Sequence, residues 1–351
     1  MKILHVIDSL GIGGTENLLK DTLPLLNDYE HVLCYLENPD TLLPQMEVKS
    51  SYFLEYRSKW SLLKSIFRLR KIIRHEKPDV IHTHLYKSTL ITRLASWGYN
   101  PKIISTIHGQ LGLSLFSLSK FDLWLERFTV SAKHHLIGVS KVALDDYKRF
   151  IPFKGKSDVI YNFVRKEFFN RMPLVDLNNF NTLKIVVVGN LKPVKNHIYL
   201  LHALSKIKSL PIIVDIYGEG DERKNLQAEI DQQMLPVYLK GAIYNIEEIL
   251  PNYHCFILCS HHEGYGIAPM EAMAVGIPIL VSDIPVFREV FGDNALYFNL
   301  NDHNGLSQLL TDIIDNKINL SKLSDQVKKY AQKTVSEKHY TISLKRIYND
   351  L

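Results

Sequence analysis

The chain has 351 residues, of which 46% are hydrophobic and 23% charged, a composition typical of a globular protein with more than one domain core. No apolar run approaches the roughly 20 residues of a membrane-spanning helix, and the first strand pattern soon reaches Asp8, so we expect neither a membrane span nor a secretion signal. The three cysteines, Cys34, Cys255 and Cys259, favour a reducing compartment over a disulfide framework, which predicts a cytoplasmic protein.

The net charge of +5 is unevenly distributed along the chain. Residues 1–150 carry 20 Lys and Arg against 15 Asp and Glu, whereas residues 151–351 carry 22 of each. Within the first part, residues 57–77 contain eight basic residues and one acid, Glu76. This local excess predicts an anionic partner near the first part of the chain.

Short apolar runs alternate with amphipathic helical patterns through the first 150 residues. The predicted strands are Lys2–Asp8, His31–Leu36, Asp79–Thr83, Lys102–Ile107 and His135–Ser140. The predicted helices between them include Trp60–His75, Tyr86–Trp97 and Lys120–Ser131. This alternation is typical of a parallel sheet covered by helices on both faces.

The same pattern restarts after a polar stretch, Lys154–Asn181, which we interpret as the passage between two domains. The predicted strands of the second part are Leu183–Val188, Ile212–Tyr217, Val237–Leu239, His254–Leu258 and Ile277–Ser282. Helices are predicted at Asn196–Lys208 and Asp221–Gln233, and a last helical pattern covers Ser336–Leu351. Two doubly wound α/β domains in series predict a ligand cleft outside the carboxyl ends of the strands.

A glycine-rich loop, Gly11–Glu16, follows the first predicted strand and precedes a helix. Glycines at such a position allow backbone N–H groups to approach a phosphate at the positive end of a helix. The dinucleotide fingerprint requires Gly or Ala at its sixth position, where this chain has Glu16, so NAD binding is not indicated. A tight strand-to-helix turn explains the glycines equally simply.

The strongest motif runs from Glu263 to Ala274 and places a second acid, Glu271, eight residues after the first. Glu263 is predicted on a loop and Glu271 in the helix that the loop opens. A carboxylate can accept hydrogen bonds from two neighbouring hydroxyls of a sugar or ribose. The free N–H groups near Gly266 and Ile267, at the helix start, suit a phosphate.

These motifs together resemble glycosyltransferase family 4, a retaining GT-B family whose second domain carries an E-x7-E motif of this form. The resemblance extends over nearly the whole chain. Besides the glycine loop and the two glutamates, it includes Thr106–Gly109, Val188–Asn196 and Tyr217–Gly220. It implies a GT-B fold of two Rossmann-like domains facing a cleft, with an acceptor domain at 1–165 joined by the C-terminal helix 336–351, and a nucleotide-sugar donor domain at 166–335.

The resemblance also implies roles for individual residues. Glu271 would bind the ribose hydroxyls of the donor, Glu263 would contact its sugar ring, and Lys195 would neutralise the diphosphate leaving group. His108 would lie near the reacting sugar and the acceptor. His108, Glu263 and Lys195 are therefore the expected catalytic residues.

Further donor contacts are implied at backbone positions. N–H groups of Gly13 and Gly14 would assist Lys195, and the wall beside the nucleotide base would be shaped by Gly218, Gly220 and Gly241. Asn190 belongs to the same set but departs from the family, which usually has an arginine there. Because asparagine brings no charge, either Lys192 or another cation substitutes, or Lys195 acts alone.

Each of these residues also has a purely structural explanation. Glu263 and Glu271 suit the positive start of a helix as surface acids. Lys195 suits a solvated helix entry, and His108 suits a structural role at the end of a strand.

Other chemistries are less compatible with the sequence. A glycosidase would use paired carboxylates and would have no phosphate site. The glycine loop and Lys195 suit a phosphate, so they argue against a glycosidase. No D-x-D triplet occurs, so we expect no metal-bridged diphosphate and no bound cofactor. His82 and His84, like Cys255 and Cys259, have the spacing of ligands, but they lie in strand patterns without evident partner ligands.

The basic segment Trp60–Lys77 predicts an amphipathic helix. Its apolar stripe is expected to comprise Leu62, Leu63, Ile66, Leu69 and Ile73, and its basic stripe Lys64, Arg68, Lys71 and His75. A helix with a solvated basic face explains the pattern. The alternative is that Lys64, Arg68 and Lys71 contact anionic lipid head groups. Nucleic acid is not expected, because no aromatic residue is predicted among these charges.

The sequence thus predicts a metal-independent, retaining glycosyltransferase. It would move a sugar from a nucleotide-sugar, UDP- rather than GDP-linked, to a hydroxyl of a lipid-linked or growing surface saccharide. It is expected in the cytoplasm, with possible peripheral attachment to the inner face of the cell membrane. A nucleotide-sugar 2-epimerase and an inactive sugar-nucleotide-binding partner subunit are the alternatives.

Overall fold

A computed structural model of the chain describes residues 1–99, 101–111 and 120–350. The chain forms two units, one of Met1–Asn162 with Lys338–Leu351 and one of Phe163–Glu337. The predicted boundary at residue 165 lies slightly further along the chain, because the chain passes into the second unit soon after the last strand of the first. None of the helices in the described ranges is both long and apolar enough to cross a membrane.

The first unit contains a seven-stranded parallel sheet with strand order β3-β2-β1-β4-β5-β6-β7. Its strands are β1 (Lys2–Ile7), β2 (Glu30–Tyr35), β3 (Ser50–Phe53), β4 (Val80–His84), β5 (Lys102–Ile107), β6 (His135–Gly138) and β7 (Lys156–Val159). Its helices are α1 (Gly14–Thr22), α2 (Leu62–Glu76), α3 (Tyr86–Ala95), α4 (Lys120–Thr129) and α5 (Lys141–Phe150). The central strands β1 and β4 are almost completely buried, as expected for a parallel sheet covered on both faces.

The second unit contains a six-stranded parallel sheet with strand order β10-β9-β8-β11-β12-β13. Its strands are β8 (Leu183–Val188), β9 (Ile212–Tyr217), β10 (Val237–Gly241), β11 (Cys255–Leu258), β12 (Ile279–Ser282) and β13 (Leu296–Phe298). Its helices are α6 (Lys166–Phe169), α7 (His197–Ser205), α8 (Arg223–Gln233), α9 (Ile246–Ile249), α10 (Ile267–Val275), α11 (Pro285–Phe291), α12 (Gly305–Ile314) and α13 (Leu320–Thr334).

The last helix, α14 (Glu337–Asn349), packs on the first sheet. Leu344, Ile347 and Tyr348 are buried in a cluster that includes Ile3 of β1 and Ile104 of β5. Burial of these side chains returns the end of the chain to the unit in which it began.

Both α/β sheets were predicted, but the outermost strands β3, β7 and β13 were missed. Each has three or four residues and is partly exposed. Edge strands of this length lack the continuous apolar run that identifies a buried strand. The interpretation of Lys154–Asn181 as a passage was therefore partly wrong, because it contains β7 of the first sheet and the short helix α6.

Candidate functional site

Four glycines shape the loops at the carboxyl ends of β8, β9 and β10. A Cβ atom on Gly218 would lie 2.0 Å from the Gly189 carbonyl oxygen, and one on Gly220 would lie 2.3 Å from that of Leu191. The Gly218 N–H donates to the Gly241 carbonyl at 2.8 Å, and Gly241 has a φ of +82°. The loops therefore pack backbone against backbone, which side chains at Gly218 and Gly220 would prevent.

Lys195 and Glu263 are brought together at this end of the sheet. Lys195 ends a 3₁₀ turn after β8 (Pro193–Lys195), and its Nζ lies 2.5 Å from Oε1 of Glu263, which follows β11. The backbone joins the two loops as well, because the His261 N–H donates to the Val194 carbonyl at 2.9 Å. The lysine retains 21% and the glutamate 14% of their side-chain exposure, so the ion pair remains accessible to a ligand.

A serine that was not predicted holds the glutamate in place. Ser260 Oγ donates to the same Glu263 Oε1 at 2.8 Å, and the Ser260 carbonyl accepts from Ser282 Oγ at 2.6 Å. Ser260 and Ser282 are fully buried at the ends of β11 and β12. Their polar character within apolar strand patterns was the available sequence signal.

Helix α10 presents Glu271 beside its own N-terminus. Gly266 caps the helix with a φ of +98°, and a Cβ atom there would lie 2.9 Å from the Phe287 ring. Most of the helix is buried, whereas Ile267, Ala268 and Glu271 are partly exposed. Since residues four apart share a helix face, the Glu271 side chain lies on the same face as Ile267, the first residue of α10. The N-cap residue, Gly266, has no side chain with which to cap the first amides of the helix, and Pro269 has no N–H group.

Among the described residues, no contact places another cation at Asn190, the position where the family usually has an arginine. Asn190 is partly exposed, and its carbonyl accepts from the Lys192 N–H at 2.9 Å. The Lys192 side chain is exposed. His197 approaches the Asn190 carbonyl at 3.4 Å, but burial lowers the pKa of this imidazole to about 4, so it is neutral at pH 7.

The glycine loop of the first unit places Gly13 at the N-cap of α1 and Gly14 as its first residue. A carboxylate lies against this loop, because a Cβ atom on Gly13 would meet Glu16 Oε2 at 2.3 Å. Ser9 Oγ donates to the other oxygen of Glu16 at 3.3 Å. A negative charge at this position is unfavourable for a diphosphate beside Gly13 and Gly14.

His108 follows β5 and is partly exposed. Its Nε2 lies 3.3 Å from Nδ1 of His84, the last residue of β4. Burial lowers the pKa of His108 to about 3, so the ring is neutral at pH 7. A neutral imidazole can donate one hydrogen bond and accept another, but it supplies no charge.

The expectation that His82 and His84 lack partner ligands was wrong. His5 of β1 brings its ring next to both, and one nitrogen from each of the three buried rings lies within 4.8 Å of the others. Each ring nitrogen nevertheless has a hydrogen-bond partner. His82 contacts Tyr348 Oη at 2.6 Å and Thr106 Oγ1 at 2.7 Å, while His5 and His84 contact other histidines. The cluster is a satisfied hydrogen-bond network.

The three cysteines are core residues. Cys34, Cys255 and Cys259 are buried free thiols, and burial raises the pKa of each.

Helix α2 differs from its predicted pattern in two respects. Leu63, assigned to the apolar stripe, is 68% exposed, because the buried face is centred on Ser65, Leu69 and Ile73. Phe67 is 63% exposed and falls between Lys64 and Lys71 by helical spacing, so the statement that no aromatic residue lies among these charges was also wrong.

The charges of α2 are only partly available to an external anion. Arg68 lies 2.6 Å from Glu55, and Lys64 lies 3.6 Å from the same carboxylate. Lys71 is exposed and has no acidic partner in the described part of the chain.

An exposed aromatic row continues from this helix. Trp97, Phe128, Trp124 and Phe121 stack in that order, with centroid separations of 5.5, 5.2 and 5.8 Å. Arg70 of α2 donates to the Trp97 carbonyl at 2.6 Å, which joins the row to the helix. Trp60, Leu63 and Phe67 are exposed as well, and we refer to these three residues and the four stacked rings as the aromatic surface of the first unit.

Comparison with known proteins adds to this geometry. A model of the glycosyl transferases group 1 matches residues 176–334, and a model of Glycosyltransferase Family 4 matches residues 12–168. The O-antigen biosynthesis glycosyltransferase WclY of Escherichia coli is 26% identical, covering 100% of this chain and 99% of its own.

Two further proteins are informative. The UDP-Gal:alpha-D-GlcNAc-diphosphoundecaprenol alpha-1,3-galactosyltransferase of Escherichia coli is 28% identical over 73% of this chain and 71% of its own. Among solved structures, HepE of Anabaena in complex with UDP and glucose superposes with a TM-score of 0.86 at 18% identity, covering 100% of both chains.

Two parallel Rossmann-like sheets form the GT-B fold, and the match to the group 1 glycosyl transferases identifies the protein as a glycosyltransferase. The two family models together span most of the sequence, and the chain belongs to glycosyltransferase family 4. The predicted family, fold and enzyme class are therefore confirmed.

Proposed function

We propose that this enzyme transfers a sugar from a UDP-sugar to a hydroxyl of a lipid-linked or growing surface saccharide. The observation that carries the proposal is the accessible pair of Lys195 and Glu263, on loops joined by a backbone hydrogen bond. WclY takes part in O-antigen biosynthesis, and the galactosyltransferase relative uses UDP-Gal and a diphosphoundecaprenol acceptor, as their names state. HepE binds UDP and glucose.

Binding of the donor is assigned to the second unit. The free amides at the start of α10 and the Lys195 ammonium supply positive charge for the diphosphate, and the nearby Glu271 carboxylate accepts from the ribose hydroxyls. Asn190 donates a neutral hydrogen bond where the family usually has a charge. Gly218 and Gly241 keep the wall beside the base free of side chains.

Departure of the nucleoside diphosphate is assisted by charge that is already in place. Lys195 is paired with Glu263 before the donor binds, and a diphosphate beside it provides a stronger anionic partner. As the glycosidic bond breaks, negative charge grows on the leaving phosphate and Lys195 stabilises it. Because a protein cation and helix amides supply this stabilisation, we propose a reaction that needs no metal.

Glu263, released from Lys195, contacts the transferred sugar. Its position is maintained by Ser260, so the carboxylate stays ordered when the ion pair opens. His108 provides a neutral hydrogen-bonding group for a hydroxyl of the sugar or the acceptor. We propose retention of the anomeric configuration on the family resemblance. Because the Glu16 carboxylate lies beside Gly13, we assign the diphosphate to Lys195 and the start of α10 rather than to Gly13 and Gly14.

Incubation with a panel of UDP- and GDP-sugars and a diphosphate-linked lipid acceptor tests the function. We expect one UDP-sugar to give a glycosylated lipid at the same rate with and without EDTA, with the donor's anomeric configuration retained in its NMR spectrum. Conversion of the donor sugar in the absence of acceptor would instead identify an epimerase. Binding without turnover on any acceptor would identify an inactive subunit.

We further propose that the aromatic surface attaches the enzyme to the anionic inner face of the cell membrane. Trp60 is 96% exposed, and Phe67 lies beside the basic residues Lys64 and Lys71. Aromatic rings partition into the interfacial region while neighbouring lysines attract anionic head groups. Because Arg68 pairs with Glu55, we assign it a smaller share of the head-group contact than Lys64 and Lys71.

Sedimentation with anionic phospholipid vesicles tests the attachment. K64E/K71E should reduce the bound fraction, since each basic residue near such a surface contributes about 1 kcal/mol. Replacing Trp60 and Phe67 with serine should also reduce it. The matched control is K322E/K329E, which makes the same charge change on exposed positions of α13 in the second unit. Equal binding by all variants would exclude this surface.

A further inference from the structure

Four histidines of the first unit form a continuous row that ends at His108. His31 Nε2 lies 3.0 Å from the Leu26 carbonyl oxygen, and its Nδ1 lies 3.1 Å from Nε2 of His5. His5 Nδ1 lies 3.5 Å from Nε2 of His84, and His84 Nδ1 lies 3.3 Å from Nε2 of His108. The row thus crosses neighbouring strands β2, β1 and β4 and reaches the loop after β5.

The rings of this row are neutral. His5, His31 and His84 are buried among the strands, and burial is the main cause that lowers the pKa of each. The pKa of His108 is lowered for the same reason. Neighbouring imidazoles also disfavour a positive charge on one another. Each ring therefore carries a single N–H group and a single acceptor nitrogen.

A backbone carbonyl can only accept, so it sets the direction of the whole row. Because the Leu26 carbonyl faces Nε2 of His31, that nitrogen carries the proton and Nδ1 accepts. The acceptor Nδ1 of His31 requires a proton on Nε2 of His5, and the same requirement passes to His84 and His108. Reversal of the row would place two acceptors, Nε2 of His31 and the Leu26 carbonyl oxygen, 3.0 Å apart. That carbonyl also accepts from the Tyr29 N–H at 2.9 Å, so the cost of reversal lies in this contact between two acceptors.

We propose that His31, His5 and His84 are positioning residues that fix the tautomer of His108, with its proton on Nε2 and its Nδ1 available as a hydrogen-bond acceptor. The described structure gives Nδ1 of His108 no partner. This group suits a hydroxyl donor, because an unprotonated nitrogen attracts an O–H and repels a phosphate oxygen. Resting on the proposed function, the inference assigns His108 the recognition of a sugar hydroxyl rather than of the diphosphate.

Nitrogen-15 NMR of histidine-labelled enzyme tests the row without relying on activity. In the wild type we expect His31, His5, His84 and His108 all to be protonated at Nε2 near pH 7.5. Protonation of any of these rings at Nδ1 would overturn the proposal. So would a shift of His5, His82 and His84 together on addition of Zn²⁺, since that would identify a metal centre.

Substitution of His31 tests whether the row controls His108. In His31→Phe, Nε2 of His5 loses its acceptor and becomes the end of the row. In the original direction this nitrogen would be a buried N–H without a partner, whereas in the reversed direction it would be an unpaired acceptor, which costs less. We expect His108 to become a mixture of tautomers, and kcat/KM for sugar transfer to fall about tenfold while UDP affinity is unchanged. His31→Gln should restore both, because its amide can donate to Leu26 and accept from His5.

His135→Phe is the matched control, because it removes a buried histidine of β6 that pairs with Asp158 outside the row. It should leave the tautomer of His108 as in the wild type. An unchanged His108 spectrum in His31→Phe would overturn the proposal. If that variant does not fold, the tautomers of His108 in the wild type and in His31→Gln still test it. If the tautomers are as expected but no sugar transfer occurs, the proposed function fails and the row stands.

Discussion

The candidate sites of the two units differ in electrostatic character, because charged side chains form one and neutral histidines form the other. In the second unit, glycine-shaped loops carry an accessible ion pair, Lys195 with Glu263, beside free helix amides. In the first unit, the strands carry buried, neutral histidines that end at His108. A charge can be kept where a loop gives it partial access to solvent, whereas burial in a sheet removes it.

This difference suits two kinds of ligand chemistry. A phosphate group needs positive charge, such as Lys195 offers in the second unit, whereas a hydroxyl can be bound by a neutral donor and acceptor, such as His108 in the first unit. The carboxylate of Glu16 beside the glycine loop is an exception to this neutrality, but as a hydrogen-bond acceptor it too suits hydroxyls better than phosphate.

Acidification should destabilise the first unit more than the second, and this is the largest difference that we expect. Burial lowers the pKa of His5, His82 and His84 below the unfolded value of about 6.5, so the unfolded chain binds more protons than the folded one. Their contribution to stability is therefore complete above about pH 6.5 and is lost as the pH falls towards about 3. Each ring costs up to about 1.4 kcal/mol per pH unit within that window.

Hydrogen exchange measured by mass spectrometry between pH 7 and pH 5 checks this expectation. Peptides from β1 and β4 should lose protection before peptides from β8 and β11. In the second unit, burial lowers the pKa of fewer histidines, namely His197 and His254. Earlier opening of the second sheet would contradict the electrostatic contrast between the units.

Removal of the charge in the second unit should affect catalysis next most strongly. Lys195→Ala deletes the cation proposed to stabilise the leaving diphosphate, and we expect kcat to fall by about 10²–10³. Lys192→Ala, which removes an exposed lysine three residues earlier, is the matched control and should retain most of the activity. Similar rates for both variants in a single-turnover assay would show that Lys195 is not the cation that matters.

Crowding of the glycine loops should have the smallest of these effects. Gly218→Ala places a Cβ atom 2.0 Å from the Gly189 carbonyl oxygen, and the shift this forces should cost about 1–3 kcal/mol of unfolding free energy. Gly109→Ala is the control, because no described atom lies within 4 Å of its Cβ position. Equal thermal denaturation midpoints would mean that the loops yield easily and do not constrain the site.

Sequence reasoning was most successful where local patterns determine the structure. The buried central strands and the order of the motifs predicted the α/β architecture and the family, and the edge strands β3, β7 and β13 were too short to recognise. The pairing of Lys195 with Glu263 could not be predicted, because it depends on how two loops 68 residues apart meet in space.

The histidine row was missed for a related reason. His5, His31 and His84 were read separately within strand patterns, and only the strand order β2-β1-β4 makes them neighbours. Polar rings at buried strand positions were the signal available in the sequence. On α2, helical periodicity assigned Leu63 to the buried face, whereas packing left it exposed with Phe67.

Calorimetric titration of UDP into the wild type and Glu271→Gln tests whether the nucleotide binds at α10 of the second unit. Glu271 lies on the partly exposed face of α10, and loss of its charge-assisted hydrogen bonds to ribose should weaken UDP binding about 10- to 100-fold. Glu248→Gln, which alters an exposed acid elsewhere in the second unit, should bind UDP like the wild type. Unchanged UDP affinity in a folded Glu271→Gln enzyme would contradict the assignment of the nucleotide to this site.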